Sequence, residues 1–394
     1  MLQIMRILLC CCIVVLTACD SIEHRLEQPS KKELPTIVNA FELVTIWDKK
    51  VVELKSEDAF NSALLLSKGS KELYVADFLG NIIAIDLNGT VLWKKSIKEP
   101  ITSGPGLFKD KLCVATATAK LICLSTNKGE ILWSSVLSSE ALAAPGFSSD
   151  PMFDLVYLHT IDGGLSATNL INGRQVWRFS TLVPNIALRR GSAPVVGGNK
   201  VISGFANGKL FALNQEDGSI LWSHNIANPK GKSELQRMID ISADPVIHDN
   251  KVYAVSYQGN LTAISLNDGS LLWEREISSY SGLVVDDSKV YVVAVDGKVL
   301  AVDSKTGSTL WVQEDLIGRD LSKPVIINNC VVVGDMDGNL YFLNKRFGNI
   351  KVKKFIDSAG ISIPPIEADN ILYILTNSGR LMAVKHGPNN YYNR

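Results

Sequence analysis

The chain has no excess of charge of either sign. Forty Lys and Arg stand against forty Asp and Glu, which leaves no electrostatic footprint for a nucleic-acid partner. Helical apolar periodicity is scarce, so an all-β chain is expected, with no helix longer than a turn or two except near Ser233 to Met238. The apolar run Ile7 to Leu16 is too short to span a bilayer. No Gly-x-Ser-x-Gly string occurs, so the usual hydrolase arrangement lacks its anchor. The five histidines, His24, His159, His224, His248 and His386, lack metal-ligand spacing. Gly231-Lys232-Ser233 ends like a phosphate loop, yet Ile226 stands where that loop needs its first glycine. Asp335 to Asn339 opens like a calcium loop, yet its twelfth position is Arg346 and not a glutamate, so a hairpin turn explains it better. No catalytic residue, metal site or cofactor is therefore expected.

What the chain does have is a repeat. Glycine is followed four residues later by tryptophan at Gly89/Trp93, Gly129/Trp133, Gly173/Trp177, Gly218/Trp222, Gly269/Trp273 and Gly307/Trp311, and Gly348/Val352 keeps the spacing without the ring. A period of this length marks stacked supersecondary units. From Ala193 to Trp222 four short apolar runs are separated by Gly/Asn clusters, which suit tight hairpins. Each unit therefore reads as a four-stranded antiparallel sheet that needs neighbours on both faces, which is a propeller blade. The last hairpin, near Leu372 to Val384, lacks an outer strand, while Leu43 to Trp47 is an outer strand lacking a hairpin. If the N-terminal strand completes the last sheet, the fold is an eight-bladed β-propeller with no free edge. All seven tryptophans then share one structural role: each covers the glycine turn of the next blade and gives its N–H to a carbonyl.

Arg6 and the apolar run that follows read as an export signal. It ends in Leu16-Thr17-Ala18-Cys19, which resembles a bacterial lipobox, although an ordinary leader with an incidental cysteine stays open. The expected organisation is a leader over 1–18, lipidated Cys19 and a polar tether over 19–40, the propeller over 41–387 and a tail over 388–394. Anchoring by acyl chains would hold the protein at a membrane surface without embedding it. Cys113 and Cys123 fall on successive strands of one hairpin, as a disulfide or as two buried thiols, and Cys330 has no evident mate.

Function on a repeat scaffold is expected where the period breaks. From rim tryptophan to the proline opening the next blade the distance is 12 residues for Trp93–Pro105 and Trp133–Pro145, and 13 for Trp311–Pro324. It grows to 17 for Trp177–Pro194 and 23 for Trp222–Pro245. These two neighbouring crossovers leave on one face of the disc. The first, Thr181 to Arg190, is apolar and then basic, a composition that suits a protein interface. Its aliphatic residues folding back to plug the axial channel is the alternative.

Ala301 to Trp311 resembles the tryptophan-docking repeat of quinone-dependent alcohol dehydrogenases, which implies their fold. Their paired-cysteine and calcium chemistry has no counterpart here, because the only adjacent cysteines, Cys10 to Cys12, sit in the leader. The lipobox, the Gly/Trp blades, Ile186 to Pro194, Tyr257 to Ala263 and Val333-Gly334-Asp335 together resemble the BamB family, lipoproteins of the complex that assembles outer-membrane β-barrels. That resemblance implies a non-catalytic scaffold that binds the periplasmic domains of BamA, acts beside other subunits and helps unfolded barrel proteins insert. It places partner contacts at Ile186, Leu188 and Arg189, to which the adjacent Arg190 is added as a candidate, and at an acidic pair that begins at Asp240. The second acid falls on Ser242, with Asp244 two positions on. It also implies the periplasmic face of the outer membrane, whereas Asp20, next to the lipidated cysteine, favours inner-membrane retention. A dehydrogenase-like enzyme and a glycan-binding propeller are the rival readings.

Overall fold

The computed structural model describes residues 29–52, 63–66, 72–148, 150 and 153–389. The leader, Cys19 and Asp20 lie outside them. In the fourth blade, Val195–Gly197, Lys200–Gly204, Lys209–Asn214 and Ile220–Asn225 form one antiparallel sheet in chain order. The two middle strands are buried on both faces, while the outermost alternates between buried and exposed. Seven sheets of this kind span 63–96, 101–136, 146–180, 195–225, 246–276, 283–313 and 325–355. First strands of successive blades touch one another and so line the axis. The eighth blade takes its three inner strands from Ile366–Ala368, Ile371–Leu375 and Arg380–Asn389, and its outer strand is Phe41–Lys50 from the N-terminus. Arg380 clamps the Asp48 carboxylate with two hydrogen bonds across that closure. The expected all-β ring of eight blades is thus the observed one.

Eight buried apolar clusters occupy the eight seams between blades. The seven tryptophans join them at the rim. Trp177 donates Nε1–H to the Gln215 carbonyl at 2.8 Å, and its ring lies so close to Gly218 that an added Cβ would be 2.6 Å from Cε3. Trp47, Trp93, Trp133, Trp222, Trp273 and Trp311 repeat both contacts on the next blade. The register adds a layer that spacing alone does not reveal. In five blades a tyrosine of the second strand pairs with an alanine of the third, which pairs with the tryptophan of the fourth, as in Tyr291–Ala301–Trp311. The small alanine leaves room for tyrosine and tryptophan rings to meet across it, 5.8 to 6.1 Å apart between centroids.

Ser233 to Met238 forms hydrogen-bonded turns, with Arg237 N on the Ser233 carbonyl at 3.1 Å. Asp335 caps the hairpin turn that its sequence suggests, accepting from Asn339 N at 2.7 Å and Tyr341 Oη at 2.9 Å. The described part of the expected tether, residues 29–40, has no regular structure but lies against the seventh blade and the crossover before it. Lys31 pairs with Asp337 at 2.6 Å, Arg319 donates to the Lys32 carbonyl at 2.8 Å, and Ala40 N donates to the Lys351 carbonyl at 2.9 Å. Cys113 and Cys123 are register partners, fully buried free thiols with Sγ atoms 2.7 Å apart.

A candidate docking face

Each blade turns between its second and third strands on the same side from which its last strand crosses to the next blade. The two long crossovers, 181–194 and 226–245, therefore rise side by side on one face. They are held to each other and to that face. Thr181 N donates to the Gly163 carbonyl at 3.0 Å, and Asn207 Nδ2 donates to Thr181 Oγ1 at 2.9 Å. Ser192 Oγ donates to the Ala243 carbonyl at 3.2 Å, and Ala193 N to Asp244 Oδ1 at 2.8 Å.

Anchored at both ends, the first crossover presents its middle to solvent. Leu182 is 88% exposed, and Val183 and Ile186 are exposed as well, whereas Leu188 is half-buried. These tips do not plug the axis. Arg189 reaches Glu140, on the preceding crossover, at 2.6 Å, and its own side chain stays 75% exposed while that of Glu140 is 11% exposed. The Arg190 guanidinium lies 4.6 Å from the centre of the Tyr280 ring. Aliphatic side chains beside fixed guanidinium groups give a patch that is apolar at its centre and positive at its edge.

The acidic half behaves differently from the expectation of two surface acids. Asp240 is only 3% exposed, and its backbone bridges to Tyr257, with Tyr257 N on the Asp240 carbonyl at 2.8 Å. Burial pushes its carboxyl up to about 7, against a backbone hydrogen bond from Leu188 and the charge of Arg190, both of which lower it. Its Oδ2 has no protein partner. Ser242 is buried too, while Asp244 stands at the surface with Oδ2 on Lys323 at 3.2 Å. Beneath the first crossover lies a cavity of about 230 Å³ whose walls include Asp240, Leu188, Phe205 and His159. Burial drives the His159 imidazole down to about 4, and its ring packs 4.5 Å from Phe205. Asp240 therefore acts on the first crossover from below.

The face thus gathers Ile186, Leu188, Arg189, Arg190 and Asp244, with Asp240 beneath them. Sequence reasoning missed Glu140, Tyr280 and Lys323. All three sit on crossovers of ordinary length, so no break in the period marks them. Among the described residues no cluster of His, Cys, Asp or Glu is arranged to hold a metal ion, and no helix is long and apolar enough to cross a membrane.

A ring of eight four-stranded blades docked to one another by rim tryptophans is a repeat β-propeller, a fold that enzymes and binding proteins share. Within that class the chain belongs to the BamB family: the model for outer membrane protein assembly factor BamB matches residues 79–313. The Yersinia pestis assembly factor BamB is 30% identical over 94% of this chain and 96% of its own length, and the Escherichia coli protein of that name gives the same figures. The crystal structure of BamB from Moraxella catarrhalis superimposes with a TM-score of 0.78 at 26% identity, over 87% of this chain and all of that one. A europium-containing methanol dehydrogenase superimposes with a TM-score of 0.71 at 13% identity, over 87% of this chain and 86% of its own, which is a likeness of fold alone.

Proposed function

We propose that this protein is a non-catalytic scaffold of the outer-membrane assembly machinery. It docks BamA on the face built by residues 181–193 and 226–244 and assists the folding and insertion of β-barrel proteins. Acyl chains on Cys19 hold it at the periplasmic face of the outer membrane, where BamA and the other subunits of the complex meet it. The observation that carries the reading is the exposure of Leu182, Val183 and Ile186 beside Arg189 on a crossover pinned at both ends. An interface of this makeup relies on a few buried apolar anchors and an arginine, and a pre-ordered loop loses little entropy on docking. Asp240 serves the interface indirectly, through its bond to the Leu188 backbone.

Capture of BamA from detergent-solubilised membranes tests this. Ile186→Glu combined with Arg189→Glu alters two exposed side chains, so the variant is expected to fold as the parent does and to lose most of its BamA. Full capture by a folded double variant refutes the docking face. The dehydrogenase reading has only the shared fold to support it.

A further inference from the structure

The seam between the seventh and eighth blades differs from the other seven. There the outer strand of the preceding blade offers Val352 where its siblings carry tryptophan, and the opposing residue is Phe342 where most siblings carry alanine. The receiving side differs as well. The eighth blade's third strand, Arg380–Asn389, has no glycine turn after it, since its outer strand comes from the other end of the chain.

The walls of this seam still correspond to those that seat Trp311 one seam earlier. By register, Leu372 takes the place of Val331, Val384 that of Leu343, and His386 that of Lys345, whose carbonyl accepts the Trp311 indole N–H at 3.1 Å. Phe342 and Phe41 fill part of the vacated space, with ring centroids 5.6 Å apart, and Phe41 stacks on His386 at 3.9 Å. A cavity of about 330 Å³ remains between Phe41, Phe342, Leu372 and Val384, within the size range of small-ligand sites. Its polar rim includes Lys351, Lys385 and His386, and no acidic residue lines it among the described residues.

The geometry points to a binding site for one aromatic side chain, with indole as the best fit, carried on an extended polypeptide beside an acidic residue. The ring would take the place that a tryptophan of the chain itself fills in the other seven seams, and the neighbouring carboxylate would meet Lys351 and Lys385. The site opens on the face opposite the docking crossovers, so a chain held there and BamA held on the other face do not compete. Barrel strands carry aromatic girdles at their ends, which makes an unfolded barrel segment the fitting occupant. That identification and the lack of competition with BamA rest on the assembly reading, while the aromatic site itself does not.

A fluorescein-labelled peptide with the sequence Val-Thr-Trp-Glu-Val, followed by polarisation against the full-length protein, tests the site. Binding is expected, weakened at least tenfold when the peptide's Trp becomes Ala, and severalfold when its Glu becomes Gln. Phe342→Ala with Val352→Trp rebuilds the Ala–Trp pair of the sibling blades and supplies the missing ring from within. It is expected to fold and to weaken peptide binding at least tenfold while capturing BamA as the parent does. If that variant does not fold, Lys351→Glu with Lys385→Glu on the rim gives the same reading severalfold. Absence of binding to the parent protein, or equal binding by the folded variants, overturns the site. A tenfold gain in affinity for a chain ending at Asn389 assigns the pocket to the protein's own last residues and overturns the external occupant.

Discussion

Arg189 reaches back from the first long crossover to Glu140, a residue of the preceding crossover, at 2.6 Å. The two side chains are unequal: the carboxylate is nearly covered and the guanidinium is mostly in solvent. The bond therefore fixes the direction of a charge that remains free to meet a partner. Such a pair contributes little to folding, about 0 to 1 kcal/mol, but it spares the arginine's ordering cost on binding.

Glu140→Gln should therefore leave the thermal midpoint almost unchanged and still weaken BamA capture severalfold, with a steeper loss for Arg189→Ala. Titration of a soluble BamA periplasmic fragment against each variant measures this. Equal affinities for the parent and Glu140→Gln would show that the pair does not position the arginine.

Asp240 gives a dependence on pH whose sign is opposite to that of an ordinary salt-bridged acid. Its folded pKa is raised to about 7, above the value near 3.9 of an unfolded aspartate. Between those values the native state holds more protons than the unfolded state, so its contribution is full below about pH 4 and is lost as the pH rises through 7. His159, pushed down to about 4 by burial, works the other way between about pH 4 and 6.5. The cleanest readout is thus the difference between parent and Asp240→Asn, which keeps an acceptor for the Leu188 backbone. Denaturant titrations at pH 5 and pH 8 should show the variant gaining on the parent at the higher pH, by no more than about 2 to 3 kcal/mol. A difference that is flat with pH would mean that Asp240 is not held neutral beneath the crossover.

The repeat was legible because Gly and Trp sit four residues apart on one hairpin, a distance the eye can follow. The Tyr–Ala–Trp layer was not, because Tyr291, Ala301 and Trp311 are ten residues apart and meet only through strand register. Closure by Phe41–Lys50 was readable from two incomplete ends. The path of residues 29–40 was not readable, since polar composition carries no trace of the bonds from Lys31 and Arg319 that lay this stretch on the ring. In the site, length marked the two crossovers, and composition marked Ile186 and Arg189. Burial of Asp240 had a trace in its apolar neighbours Met238, Ile239 and Ile241, but an acid on a long crossover reads as exposed until the fold places Leu188 and Arg190 over it.

Gly218 tests the rim. Its φ is +72°, and an added Cβ would meet Trp177 Cε3 at 2.6 Å and Cδ2 at 2.7 Å. Alanine there combines a left-handed backbone cost of about 1 to 2 kcal/mol with displacement of a docked ring. Trp177→Ala removes the ring and leaves a void in the seam, a change that typically costs about 3 to 5 kcal/mol. Guanidinium denaturation should place Gly218→Ala at least about 2 kcal/mol below the parent, with Trp177→Ala lower still. Because the two act on one contact, the double variant should lose less than the sum of the singles. Strict additivity would separate the glycine from the indole.

Cys113 and Cys123 can be settled by labelling. Both are wholly buried, and burial holds the Cys113 thiol well above its ordinary range, so thiolate is scarce and oxidant access poor. Cys330 is partly exposed, although burial raises its thiol as well. Native protein treated with an alkylating agent should be modified at Cys330 alone among these three. The same treatment in guanidinium without reductant should modify all three, since the two hairpin sulfurs are free thiols in the fold. Peptide mass mapping reads both results. Labelling of Cys330 only, in both conditions, with the hairpin peptides linked and two hydrogens lighter, would show that the pair had closed into a disulfide.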